Sequence, residues 1–434
     1  MLLHKKINPS KKLINFLFCL FPISLVIGSL IVNLNMLLFL LISLLYIKFN
    51  SLKIKFKHIS KILVCFFVFI IITTSLNIET FGYENTLKSV LLLRFLLLYI
   101  VLETLFTNNA INLRQFFISC LICTTFISFD LIIQYVFGHN LLGYEPWENM
   151  ITGMFEHEAI AGSYIQKLSL FSFFGIFFLL KDSKYKYYIF SFIVLLHLIA
   201  TFLANNRMSF IILLISLIIL LFIFKKIKYY LLATLILFSA ISYNLYNYDE
   251  QIKGRYLSFI SNIYNNNNEI KKNSENLNNN SNNLKQIQSK FILNTSHNRI
   301  FFTAIESWKT KPLIGNGLKS FREDCKKFLK FKNRRCSTHP HNYHLEILHD
   351  TGILGFFFIS IFVFYKIYRS FKLYFFEKKE NFNDIYLIAP IMISFLIEVW
   401  PIKSSGSIFT TWNGSIVWLM IALTTYYTVN KKNK

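Results

Sequence analysis

Glycine and proline are scarce in this chain, 14 and 7 among 434 residues, which excludes collagen-like and proline-rich architectures. Acidic residues are few as well: 22 Asp and Glu stand against 46 Lys and Arg, a formal net charge of +24. No small-residue cleavage site follows the first apolar stretch, and a second apolar run comes at once, so the N-terminal segment does not read as a removed signal peptide. The two halves show no internal repeat, which weighs against a transporter built from duplicated units.

Apolar side chains are what the chain has in excess, at 54% hydrophobic and 18% aromatic residues. A soluble domain of this length would not need so many. Phe, Ile, Leu, Asn and Lys dominate, all residues with AT-rich codons, so the basic charge is not by itself a sign of a nucleic-acid partner. Twelve apolar runs long enough to cross a bilayer core recur at roughly 13–32, 34–48, 62–78, 89–106, 115–136, 160–180, 187–204, 208–224, 229–246, 353–368, 385–402 and 409–428.

Twelve spans place both chain ends on one side. With the N-terminus in the cytoplasm, the seven inside segments hold 24 Lys and Arg, and the short outside segments hold four: Lys88, Lys167, Arg207 and Lys403. Arg94 lies within the fourth span, and the remaining 17 fall in one loop too long for the positive-inside rule to count. This asymmetry predicts an all-α polytopic membrane protein with cytoplasmic termini and a large extracytoplasmic loop between helices 9 and 10. It accounts for the charge with membrane lipids as surroundings and no nucleic acid.

The chain thus divides into the first nine spans (1–246), the loop (247–352), and three further spans with a cytoplasmic tail (353–434). Within the loop, 262–290 is Asn-rich, with almost nothing apolar to bury, and reads as disordered. The stretch 291–352 reads as folded, with a turn at Lys311–Gly317 and helical patterning around Ile300–Trp308 and Tyr343–Leu348. Cys19, Cys65, Cys120 and Cys123 lie inside spans, where free cysteine packs as a small apolar residue. Cys325 and Cys336 lie in the loop. In an oxidising compartment they are predicted to form a disulfide that contributes on the order of 3 kcal/mol.

Charged groups near lipid are the first functional suspects. Arg207 follows Asn205 and Asn206 at the head of a span; Arg94, Asp130, Glu158 and Glu398 lie in or at the outer halves of others. A structural ion pair weighs as heavily as function for Arg94, Asp130 and Glu398, whereas Arg207 favours function. The densest polar cluster is Thr338-His-Pro-His-Asn-Tyr-His344, followed by His349. A helical metal pair needs i,i+4 spacing and a third ligand, and Pro340 breaks any helix through His339. Metal binding is thus a minor reading, polar residues at a helix start a second, and a histidine general base near a membrane-bound substrate the leading one.

From His341 the chain reads His-Asn, nine residues, then Gly352-Ile-Leu-Gly355. This resembles the His-(Asn/Ser/Gln)-x9-Gly-x-x-Gly signature of the O-antigen ligases and the related O-antigen polymerases. Arg299 with Trp308, Pro312, Gly315 and Gly317 resembles the superfamily's Arg…Trp…Pro-x-x-Gly-x-Gly stretch, and Asn206-Arg207 its Asn-Arg at a span head. Asp130…Gln134…Gly138…Gly143, Gly153…Glu158…Gly162-Ser-Tyr164 and Ser407…Phe409…Trp412 are similar to its other segments. One departure is Phe356 after Gly355, where many ligases have Thr.

The resemblance implies an inner-membrane glycosyltransferase of the O-antigen ligase type, acting in lipopolysaccharide or surface polysaccharide assembly. It would move a glycan from undecaprenyl diphosphate to an acceptor sugar hydroxyl, on lipid A–core or another glycan. It implies catalytic roles for His341, Arg207 and Arg299, substrate contacts for Arg94, Glu158 and Asn342, a periplasmic active site, and neither metal nor cofactor. The outer loops contain no Asp-x-Asp motif. A polymerase joining lipid-linked repeat units is the alternative, and a flippase of lipid-linked sugars a more distant one.

Overall fold

The computed structural model of the chain describes residues 10–54, 58–148, 150–250, 252–254, 296–331, 333–376 and 382–426. The Asn-rich segment 262–290 and the C-terminal lysines lie outside the described residues. Apart from one isolated bridge between Trp147 and Met150, regular structure among the described residues is helical. The helices are α1 (Lys11–Cys19), α2 (Phe21–Ile27), α3 (Ser29–Phe49), α4 (His58–Ser75), α5 (Ile78–Phe81), α6 (Tyr83–Leu91), α7 (Leu93–Thr107), α8 (Leu113–Phe137), α9 (Ala161–Leu179), α10 (Lys186–Leu203), α11 (Arg207–Ile223) and α12 (Lys228–Tyr248). Further along the chain come α13 (Ser296–Trp308), α14 (Phe321–Asp324), α15 (Tyr343–Phe376), α16 (Phe382–Glu398) and α17 (Thr411–Leu423).

Eight helices among the described residues are long and apolar enough to cross a membrane, and three shorter apolar helices, Arg207–Ile223, Ile385–Glu398 and Thr411–Leu423, accompany them. Length and composition alone therefore do not give twelve. The largest difference is at the start. The expected first span, 13–32, is broken: Pro22 sits in the first turn of α2, where its missing N–H costs nothing, and Gly28 takes φ 128°. The boundary falls at Gly28, and α3 gathers the rest into one 21-residue helix.

The bundle is held by apolar packing. α9 is the most enclosed of the candidate spans, with 83% of its apolar window buried. It packs on α8, where Phe117 and Phe171 lie 5.2 Å apart, ring to ring. Cys120 and Cys123 on α8 are free thiols, as packing residues would be. The residues of the expected folded loop that are described carry a small core of their own, Ile300, Ala304, Phe321 and Cys325, with Cys336 and Leu345 against it. Cys325 and Cys336 are bridged across this core, their Cα atoms 5.1 Å apart.

Helix α15 starts ten residues before the expected span, at Tyr343, and breaks at Gly352, whose φ 62° and ψ −170° are not helical. Into that break fits the turn after α13. Ile353 N donates to Pro312 O at 2.9 Å, Gly317 N to Asp350 O at 2.9 Å and Asn316 N to His349 O at 3.0 Å. Two backbones meet here without room for a side chain: a Cβ on Gly315 would lie 2.4 Å from Gly352 N, and one on Gly352 would lie 2.4 Å from Leu313 O. The two glycine motifs of the sequence are thus one junction, which seats the loop on the membrane helix.

Candidate active site

Pro340 keeps the chain out of helix, and α15 begins only after Asn342 caps it. Asn342 Oδ1 accepts from Leu345 N at 3.1 Å, an N-cap bond. The buried amide Nδ2 donates to Pro401 O at 2.7 Å and to Lys403 O at 3.2 Å. The side chain expected at the substrate is therefore engaged on both sides by the protein itself. The preceding His341 has φ 56°, a conformation that costs a non-glycine residue energy unless its surroundings impose it. They do: its carbonyl accepts from Ser405 N at 2.8 Å.

The half-buried His341 ring meets three neighbours. Its Nε2 lies 3.0 Å from Ser337 Oγ, the His339 ring is 4.2 Å away between centroids, and the His297 ring stands edge-on at 5.3 Å. Burial pushes the His341 pKa down to about 4, and His339, His297 and Arg335 push it the same way. Burial also lowers His297 and His339. At neutral pH His341 is a neutral imidazole with a lone pair to offer. His344 does not converge with the other two: its Nε2 lies 2.9 Å from Val399 O. Among the described residues no group of three His, Cys, Asp or Glu is arranged to hold a metal ion.

Arg299 lies two residues from His297 on α13, half-buried, so its helix borders the His341 turn. Arg207, also half-buried, is the first residue of α11, where Asn206 Oδ1 caps the helix through Ser209 N at 3.3 Å. Asn206 packs against the head of α9: a Cβ on Gly162 would lie 3.0 Å from its Cβ. Glu158 is exposed on the turn leading into α9. The structure thus groups His341 with the Arg299 helix, and Arg207 with the α9 head near Glu158. Arg94 is set apart, donating to Leu91 O at 3.1 Å and Thr411 Oγ1 at 3.4 Å with its guanidinium over the Phe95 ring. Asp130 and Gln134 fold the 138–153 loop onto α8: Asp130 Oδ1 accepts from Leu141 N at 3.0 Å, and Gln134 Oε1 accepts from Gly153 N at 2.7 Å.

Two buried polar clusters are not legible as clusters in the sequence. In the first, Glu398 at the end of α16 pairs with Lys167 of α9 through one carboxylate oxygen and with Lys403 through the other at 2.6 Å, while Tyr343 Oη donates to it at 2.9 Å. The only signal is three charges in two spans, Lys167 in the first turns of one and Glu398 and Lys403 together at the end of another. In the second, Ser307 Oγ, His349 and Asp350 align at 2.9 and 2.8 Å in the order of a hydrolytic triad. All three are 0% exposed, and their hydrogen bonds tie α13 to α15.

The family model described as O-antigen ligase matches residues 165–360, from α9 to just past the glycine break of α15. The chain carries an O-antigen ligase domain. The match takes in Lys167, Arg207, Arg299, His341, Asn342 and both glycine motifs, while Arg94, Glu158, Glu398 and Lys403 fall outside it. No curated protein matches the chain. The apolar helical bundle and the match over residues 165–360 support a multi-pass membrane protein similar to the O-antigen ligases, and lipid-linked glycans and polysaccharides are the substrates that family implies.

Proposed function

We propose that the protein transfers a glycan from an undecaprenyl diphosphate donor to a sugar hydroxyl of an acceptor at the outer face of the inner membrane. His341 supports this most directly: it lies inside the ligase domain, neutral, with Nε2 3.0 Å from a serine hydroxyl. Ser337 Oγ marks the position of the attacking acceptor hydroxyl. Nε2 takes the hydroxyl proton, the oxygen attacks the anomeric carbon, and the glycosyl C–O bond breaks with its electrons leaving on the lipid diphosphate. Attack opposite the leaving group inverts the anomeric centre.

Charge builds on phosphate oxygens in that step. Guanidinium groups suit it, with a permanent charge and a planar donor fork. Arg207 and Arg299 hold the diphosphate, so the scheme requires no metal ion. Glu158 and Arg94 contact the substrate outside the reacting centre, and Asn342 serves by fixing the His341 turn. The charge asymmetry supports cytoplasmic termini and a periplasmic His341. Phe356 after Gly355 keeps the polymerase alternative in view, and acceptor choice decides it: lipid A–core for a ligase, a second lipid-linked repeat for a polymerase.

Substituting Lys at position 207 or 299 keeps the charge and loses the fork. Donor turnover by Arg207→Lys or Arg299→Lys in purified protein is expected to fall on the order of 10- to 100-fold, below the loss typical of removing an electrostatic donor outright. Wild-type turnover in either variant contradicts its role.

A further inference from the structure

The segment from Val399 to Thr410, between α16 and α17, crosses the start of α15 and is fastened to it at both ends. At one end His344 Nε2 lies 2.9 Å from Val399 O, Asn342 Nδ2 donates to Pro401 O and Lys403 O, and Ser405 N donates to His341 O. At the other, Ile408 N donates to Glu346 Oε2 at 2.9 Å. Between them Ser404 Oγ lies 3.5 Å from His297 Nδ1, the ring that stands edge-on to His341. This strap therefore sets both the left-handed backbone of His341 and the histidine beside its ring.

A second carboxylate, besides Glu346, ties the strap to the bundle. Glu398, the last residue of α16, holds Lys403 of the strap, Lys167 of α9 and Tyr343, the residue two after His341. All four side chains are buried, with Glu398 at 1% and Lys167 at 3% exposure. Neither lysine has solvent to turn to, so the pairing is obligatory once the helices pack. It locks the head of α9, the strap and the start of α15 in one geometry.

We propose that Glu398 is a positioning residue for His341, acting through Lys403 and the strap rather than by touching substrate. The catalytic part of the proposal rests on the transfer reaction above; the positional part does not. Two variants separate positioning from folding. Glu398→Gln leaves two buried lysines facing one neutral amide. Glu398→Gln with Lys167→Met keeps the net charge of the cluster at that of the native one while still freeing Lys403.

The measurement is the rate at which diethyl pyrocarbonate acylates each histidine of the full-length protein in detergent, read by mass spectrometry, beside kcat and KM for transfer. His139 is exposed and reports reagent activity; His349 is 0% exposed and reports general loosening. In the double variant His341 acylation is expected to rise on the order of 10-fold with His139 and His349 unchanged. The expected fall in kcat is on the order of 10- to 100-fold at unchanged KM, the scale of a misplaced catalytic group. Glu398→Asp, which keeps the charge, is expected to restore most of the native value. Native His341 acylation and kcat in the double variant overturn the proposal, and so does a parallel rise at His349. Altered His341 acylation in a protein that never transfers glycan leaves the positioning standing and removes the transfer reading instead.

Discussion

His341→Ala is expected to abolish glycan transfer while leaving donor binding intact. In the proposed reaction the imidazole acts on the acceptor hydroxyl and arginines on α11 and α13 hold the diphosphate, so removing the ring would take away proton transfer and leave the donor contacts. General-base catalysis is worth about 10²- to 10⁴-fold, enough to put the variant below detection in a complementation assay. His339→Ala and His344→Ala are milder, since His344 is turned to Val399 O and His339 only flanks the ring. The pH profile supplies a second reading. His341 is held neutral down to about pH 4 rather than 6.5, so kcat/KM is expected to stay level from neutral pH through 6 and to fall only as pH approaches 4. The sign follows from which state binds the proton. The unfolded chain protonates this histidine first, so the stability it lends is complete above about 6.5 and is lost as pH falls toward 4. An acid limb near 6.5 would mean that an ordinary, solvated histidine is the base.

Gly352→Ala is expected to cost the folded protein far more than a methyl group added at an open glycine. The residue sits at φ 62°, and its new Cβ would lie 2.4 Å from Leu313 O and 2.6 Å from Gly315 N. Both are backbone atoms that cannot swing away. Movement there parts the turn from α15 and loosens Asn316, Gly317, His349 and Asp350 together, so the loss is on the order of 4 kcal/mol or more. Gly138 is the control. It has φ 79° and nothing within 4 Å of a Cβ, so Gly138→Ala bears only backbone strain of about 1 kcal/mol. Thermal unfolding in detergent compares the two. A Gly352→Ala protein that melts no lower than Gly138→Ala contradicts the junction.

The helical, membrane-spanning class is legible in the sequence because apolar run length is a one-dimensional property. So is the pairing of Cys325 with Cys336, close along the chain and in one loop. The start of the bundle is not, because hydropathy does not feel Pro22 or Gly28, which move the boundary without changing the apolar count. The glycine motifs are visible as motifs, but nothing in the sequence says that Gly315 and Gly352 face each other, because that contact joins two backbones with no side chains to signal it. Glu398 stands out only as a lone charge. Its lysines lie 231 and 5 residues away, and a partner so remote as Lys167 is found only once α9 and α16 are packed together. Asn342 looks like a substrate contact because it adjoins His341; in the fold the same adjacency makes it the cap and tie of that turn.

If the His341 site itself moves the glycan, transfer needs only the donor, the acceptor and the protein, with no ion gradient and no metal. Purified full-length protein in detergent, given an undecaprenyl diphosphate-linked glycan and lipid A–core in the presence of EDTA, is therefore expected to yield the joined product and free undecaprenyl diphosphate in equal amounts. No product from either lipid A–core or a second lipid-linked repeat, or product that EDTA suppresses, would contradict transfer at this site.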